Sequence, residues 1–151
     1  GLFANPNPHN QNTMALNIAS KTVRDTARID LDEPDGTPLL AEDGTTRCAV
    51  TIYGPGSKPY AAAAAARSQR MVAAMSKKGA RTRISAEEQT AESATFLADI
   101  TVSLHGFDYN GATDRAALVA MYSDLGLGFI ADQIQAKVGD WANFMKGPSA
   151  T

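Results

Sequence analysis

Apolar and polar residues alternate along "TARIDL", Thr26 to Leu31, the pattern of a strand with one buried face. The next sixteen residues, "DEPDGTPLLAEDGTTR", hold two Asp-Gly pairs and two prolines, which mark the turns of an extended loop or hairpin. "CAVTIYG", residues 48 to 54, is rich in β-branched and aromatic side chains and reads as the second strand. Two strands alone are marginal in water, so this hairpin is expected to lie against helices.

From residue 57 onward the period lengthens to that of a helix. In "SKPYAAAAAARSQRMVAAMSKKG" Ser57 can cap the N-terminus, Pro59 fits the first turn and Gly79 can end the last one. Six consecutive alanines, Ala61 to Ala66, give high helix propensity with no bulky side chain, so this helix is expected to be exposed or packed very closely. Ser85 and Glu88 form a capping-box pattern ahead of a second helix, with Glu87 and Glu88 favourably placed at its positive end. Its apolar face runs Phe96, Leu97, Ile100, Leu104 and stops at Gly106; alternatively "TVSL" extends as a strand, because Thr101 and Val102 are β-branched. Thr113 caps "DRAALVAMYSDL", with Leu118, Met121, Tyr122 and Leu125 on one side. After "GLG" a last helix carries Phe129, Ile130, Ile134, Val138, Trp141, Phe144 and Met145. The expected fold class is α+β, mainly α-helical, an N-terminal β-hairpin followed by about four helices.

With 151 residues and 44% hydrophobic composition, the chain has the length and apolar content of one domain, placed at residues 14–146. Residues 1–13, "GLFANPNPHNQNT", lack the basic-then-apolar order of a signal peptide and read as an added leader or a flexible arm, and 147–151 as a C-terminal tail. The net charge of -2 does not suggest general nucleic-acid affinity, and no apolar run reaches the roughly 20 residues of a membrane span.

Charge is nevertheless segregated. Between Lys58 and Arg83 stand seven bases (Lys58, Arg67, Arg70, Lys77, Lys78, Arg81, Arg83) and no acid, while the rest of the chain has seven bases against sixteen acids. This is either a solvated helix face with a basic connector or a surface for an acidic protein partner. DNA is the weaker alternative, since no aromatic residue is interleaved with the cluster.

Reaction chemistry finds little footing. "GPGS", residues 54 to 57, lacks the Gly-Lys-Ser/Thr ending of a phosphate loop and reads as a turn and cap. His105 has no histidine or cysteine near it in sequence and is placed at a helix C-terminus, where its ring N-H would meet free carbonyls. Cys48, the one cysteine, lies in an apolar run and reads as a small buried hydrophobe. Asp108, Asn110 and Asp114 match positions one, three and seven of a calcium loop, but Ala112 and Val119 occupy the fifth and twelfth, so they read as turn and cap residues. No catalytic residue, metal or cofactor is expected. Trp141, Phe144 and Met145 can anchor the last helix or dock a partner.

Two segments together carry a resemblance. "LDEPDGTPLLAEDGTTRCAVTIYGPGSKPYAAAAAARSQR" resembles a hairpin that leads through a "GPGS" turn into an Ala/Arg-rich helix in many small phage proteins. "FLADITVSLHGFDYNGATDRAALVAMYSDLGLGFIADQIQAKVGDWANF" resembles their second half, with Gly106-Phe107 and Asn110-Gly111 as landmarks. This is the pattern of tail assembly chaperones of long, non-contractile-tailed bacteriophages, and it spans Thr26 to about Met145. The resemblance implies a mainly helical protein of the host bacterial cytoplasm that binds the tape measure protein, recruits tail tube protein and leaves before the virion is complete. It further implies a non-enzymatic role, and a gene that often yields a second, longer product by frameshifting. Arg67, Arg70, Lys77, Lys78, Trp141 and Phe144 are the expected partner-binding residues, and self-association is compatible with the alanine-rich helix. The competing readings are a structural virion component, such as a neck or tail-completion protein, and a small DNA-binding module.

Overall fold

A computed structural model describes residues 14–78 and 85–146. Strands β1 (Thr26–Asp30) and β2 (Ala49–Tyr53) pair antiparallel, with Ile29 opposite Val50 and Ala27 opposite Ile52. Ala27, Ile29, Val50 and Ile52 are buried on one face, and Arg28 and Asp30 are exposed on the other, so the alternation in the sequence sets which side meets the core. The long connection turns at Gly36 and Gly44, with φ of 90° and 75°. Asp35 and Asp43 each accept the backbone N-H two residues on, which fixes both turns.

Helix α1 (Lys58–Lys78) begins at Ser57, whose hydroxyl accepts the N-H of Tyr60 at 3.2 Å and donates to the Gly54 carbonyl at 2.8 Å. The expected end of this helix at Gly79 lies outside the described residues. Helix α2 (Ala86–Ile100) has the anticipated capping box, Ser85 and Glu88 each satisfying the other's backbone N-H.

Where helix and strand competed for "TVSL", the strand prevails. Helix α2 ends at Ile100, and β3 (Thr101–His105) pairs antiparallel with β2, giving the sheet order β1-β2-β3. Leu104 therefore sits opposite Val50 instead of extending the helical stripe, and His105 closes a strand instead of a helix. The Thr101 hydroxyl, 2.8 Å from the Leu97 carbonyl oxygen, satisfies part of the helix end, and a register shift at Thr51/Ile52 lets the strand leave the helix in one step.

Helix α3 (Arg115–Ser123) is capped by Asp114, one residue later than the expected Thr113, because the Asp114 carboxylate accepts the Ala117 N-H. The last helix, α4 (Gly128–Val138), also stops short of its apolar stripe. Asp140 accepts the Ala142 N-H and starts a separate 3-10 turn, Trp141–Phe144. Ile130, Ile134, Val138 and Phe144 are buried, whereas Trp141 and Met145 are 54% and 62% exposed.

The core lies between one face of the sheet and α2, α3 and α4. Leu31, Val50, Ile52, Leu97, Ile100, Met121, Ile134 and Phe144 are its largest fully buried side chains. Each removes apolar surface worth about 1.5–3 kcal/mol from water. Helix α1 packs on α2 through Tyr60, whose ring meets Phe96 edge-on at a centroid distance of 5.4 Å, and through buried Ala63. Among the described residues, no helix is long and apolar enough to cross a membrane.

Candidate partner-binding surface

The six residues expected to meet a partner divide into two groups. Arg67 is exposed, with its guanidinium carbon 5.0 Å from the centre of the Phe96 ring, which it covers from α1. Arg70 faces α2: its Nε donates to Glu92 Oε1 at 2.6 Å. Arg70 Nη2 lies as close to the same oxygen without a hydrogen bond of its own, and Nη1 is 3.9 Å from Asp99. Arg115 reaches Asp99 from α3 at 2.9 Å, so the two arginines flank one carboxylate and tie three helices together. Part of the basic cluster is thus occupied by the fold itself. Lys77 is exposed on the last turn of α1; Lys78 ends that helix, and its side chain lies outside the described residues, as do Arg81 and Arg83.

Phe144, for which anchoring the last helix and docking a partner were both open, is fully buried, which leaves it to the core and removes it from the partner-binding residues. It packs on Gly54, where a Cβ would stand 2.6 Å from Cε2 and 2.8 Å from Cγ of the ring. Its carbonyl accepts the N-H of Arg24 at 2.7 Å, so the turn that holds it closes against the start of β1. Trp141 leans on the same loop, 3.4 Å from the Cβ position of Gly56, and leaves about half its surface in solvent. The glycines of "GPGS" are therefore the floor on which "WANF" sits. A requirement for close approach accounts for Gly54.

The remaining candidates serve local structure. His105 Nε2 is 2.8 Å from Thr51 Oγ1 and 3.2 Å from Ser103 Oγ on the polar face of the sheet. The Cys48 thiol is buried beside the Gly106 carbonyl, 3.6 Å away, and burial, followed by the charges of Asp43 and Glu33, raises its pKa above the ordinary thiol value. Asp108 accepts the Gly111 N-H across a turn in which Asn110 and Gly111 have φ of 53° and 82°. With Asp114 capping α3, the supposed calcium carboxylates are both directed at backbone. Among the described residues, no group of three or more His, Cys, Asp or Glu side chains is placed to hold a metal ion.

What sequence reasoning missed is the outer side of α1. Val72 is 66% exposed and Met75 47%, although the helix beside them buries Ala63 and half-buries Met71 and Ala74. Part of the signal was present in the spacing, since Val72 stands one residue after Met71 and so is turned about 100° from its partly buried side, and Met75 follows Val72 at three residues on the same face. Exposed apolar residues of this size grouped on one helix mark a contact surface more often than isolated ones do. No family model, curated protein or solved structure matches the chain.

Proposed function

We propose that this protein is a tail assembly chaperone of long, non-contractile-tailed phages: it keeps a helical tape measure protein soluble and brings tail tube subunits to it while the tail is built. One observation carries the reading. Helix α1 has five bases and no acid, packs on the body along one side and leaves Val72 and Met75 open to water on another. A long helical polypeptide with apolar stripes needs such a surface to cover it before assembly, and a basic helix selects for an acidic segment of that polypeptide.

The family assignment itself rests on the likeness of the two segments between Thr26 and Met145. His105 is engaged with the Thr51 hydroxyl, and Asp108 and Asp114 accept backbone N-H groups, roles that fit a binding protein built on this scaffold. In this reading the protein works in the host cytoplasm and is absent from the finished particle.

Affinity capture from lysate of phage-producing cells, with mass spectrometry of the eluate and of purified virions, tests it. Recovery of a tape measure protein or tail tube subunit from lysate, with this chain missing from virions, is the expected result. Many copies in the virion would replace the proposal with a structural role, and recovery of DNA with neither tail protein would replace it with a nucleic-acid role.

A further inference from the structure

Of the chain's asparagines, only Asn110 is followed by glycine. An Asn-Gly step is prone to ring closure, because a residue without a Cβ lets its own backbone nitrogen approach the preceding side-chain carbonyl carbon. Asn110 and Gly111 are both exposed, so solvent reaches the step and ammonia can leave it. The reaction balances with water alone. A base in solution takes the Gly111 N-H proton, the nitrogen attacks Asn110 Cγ, and the Cγ–Nδ2 bond breaks as Nδ2 takes up a proton and departs as ammonia. Water then opens the cyclic imide. Opening at Cγ leaves aspartate in an ordinary backbone, and opening at the backbone carbonyl leaves isoaspartate, whose main chain runs through Cγ.

The fold holds this step closed. Tyr109 and Ala112 exchange both backbone hydrogen bonds, at 3.0 and 3.1 Å, around Asn110 and Gly111, whose positive φ are those of a tight hairpin turn. Inside that turn the Gly111 N-H donates to Asp108 Oδ1 at 2.8 Å. Ring closure has to swing the Asn110-Gly111 peptide plane toward the Asn110 side chain, and these bonds hold that plane. Charge acts in the same direction. The attacking species is an amide anion, and a carboxylate 2.8 Å from its nitrogen disfavours it as any like charge does.

We infer that Asn110 is a site of spontaneous deamidation, a slow clock that runs only when the 109–112 turn opens, and that Asp108 is the positioning residue that keeps it shut. The product alters more than one side chain. Isoaspartate lengthens the main chain of a turn that Tyr109 ties to α3, its hydroxyl donating at 3.1 Å to Asp124, the residue that caps the end of that helix. The inference stands on this turn alone and is independent of the chaperone reading.

The test incubates the full chain at mildly alkaline pH, native and in guanidinium chloride, and follows the amide-to-acid mass gain at Asn110 by peptide mass spectrometry, with fragmentation that separates isoaspartate from aspartate. The native protein is expected to react about tenfold or more slowly than the denatured one, since only the opened turn reacts. Asp108→Ala should raise the native rate about threefold or more while leaving the denatured rate within about twofold of the wild type. Asp108→Asn, which removes the charge and keeps an acceptor oxygen, should fall between them, and it carries the comparison if circular dichroism shows Asp108→Ala to be unfolded. No mass gain at Asn110 in denaturant overturns the site. A native rate equal to the denatured one overturns the gate. A native rate that falls in the folded Asp108 variants makes the carboxylate the base that drives ring closure, and a rate that does not change leaves it without a part in the turn's protection; either result overturns its assignment.

Discussion

Phe144 lies against Gly54, close enough that no side chain other than hydrogen fits between the ring and the backbone. Gly54→Ala must therefore displace a ring that is fully buried, at a cost of about 1–3 kcal/mol, and Phe144→Ala should cost about 3–5 kcal/mol by leaving a cavity. The two are coupled: with the ring already gone, the extra methyl enters empty space. Urea unfolding of both single variants and the double variant is expected to show a double-variant loss smaller than the sum. Strict additivity would mean that the ring and the glycine do not meet.

Tyr122 is buried between α3 and α2, with its hydroxyl 2.8 Å from Thr101 Oγ1. Burial pushes the phenol from 10.0 up to about 12, and the contact with Thr101 offsets part of that rise. The unfolded chain loses this proton near pH 10 and the folded one near 12, so the contribution is intact below pH 10 and declines as pH rises toward 12. Tyr122→Phe should cost about 1 kcal/mol at pH 8, from the lost hydrogen bond, and should lose less stability than the wild type between pH 8 and 11. Urea midpoints at the two pH values check both statements.

Arg70 and Lys77 belong to one helix and one charge cluster, yet substitution should separate them. Arg70 is about one-third exposed and its partner Glu92 less than one-fifth, so Arg70→Ala leaves a half-buried carboxylate with its main cation removed. The expected loss is about 1–2 kcal/mol, between the values for exposed and fully buried pairs. Lys77→Ala, at an exposed position, should stay within about 0.5 kcal/mol of the wild type. Chemical denaturation of the two variants distinguishes the base that holds the fold from the one left to solvent.

Cys48 has 2% of its surface exposed, and its thiol is disfavoured as an anion by burial and by Asp43 and Glu33. Reaction with an aromatic disulfide reagent at pH 8 should be about tenfold or more slower in the native protein than in denaturant. A native rate equal to the unfolded one would place the thiol at the surface.

The elements that could be read in the sequence are those written in neighbouring residues. Ser57 and the Ser85–Glu88 box fix helix starts through bonds that span three residues, and the hairpin alternation needs only a buried side. "TVSL" could not be decided locally, because its fate depends on pairing with Val50 and Thr51, some fifty residues earlier in the chain. The last helix ends at Val138 with Gly139 as its cap, although the apolar stripe runs on, and the turn that Asp140 starts puts Phe144 in the core and Trp141 on the loop at Gly56. The basic cluster was legible as charge, but charge does not say which bases face inward. Arg70 is distinguished from Lys77 by Glu92, a residue on another helix. The open side of α1 was legible only as a geometric consequence of Met71 facing α2.

The contact of Phe144 with Gly54 joins residues about ninety positions apart, and the bond from Arg24 to the Phe144 carbonyl spans still more of the chain. During synthesis the hairpin and α1 leave the ribosome long before the ring that must cover them. Until the "WANF" turn emerges, Gly54 faces an unfilled hollow, and the nascent domain can gather its sheet and helices without sealing them. Because the gathered sheet and helices have already shortened the loop between them, docking of the final turn adds little loop entropy, which suits it to be the last event in folding.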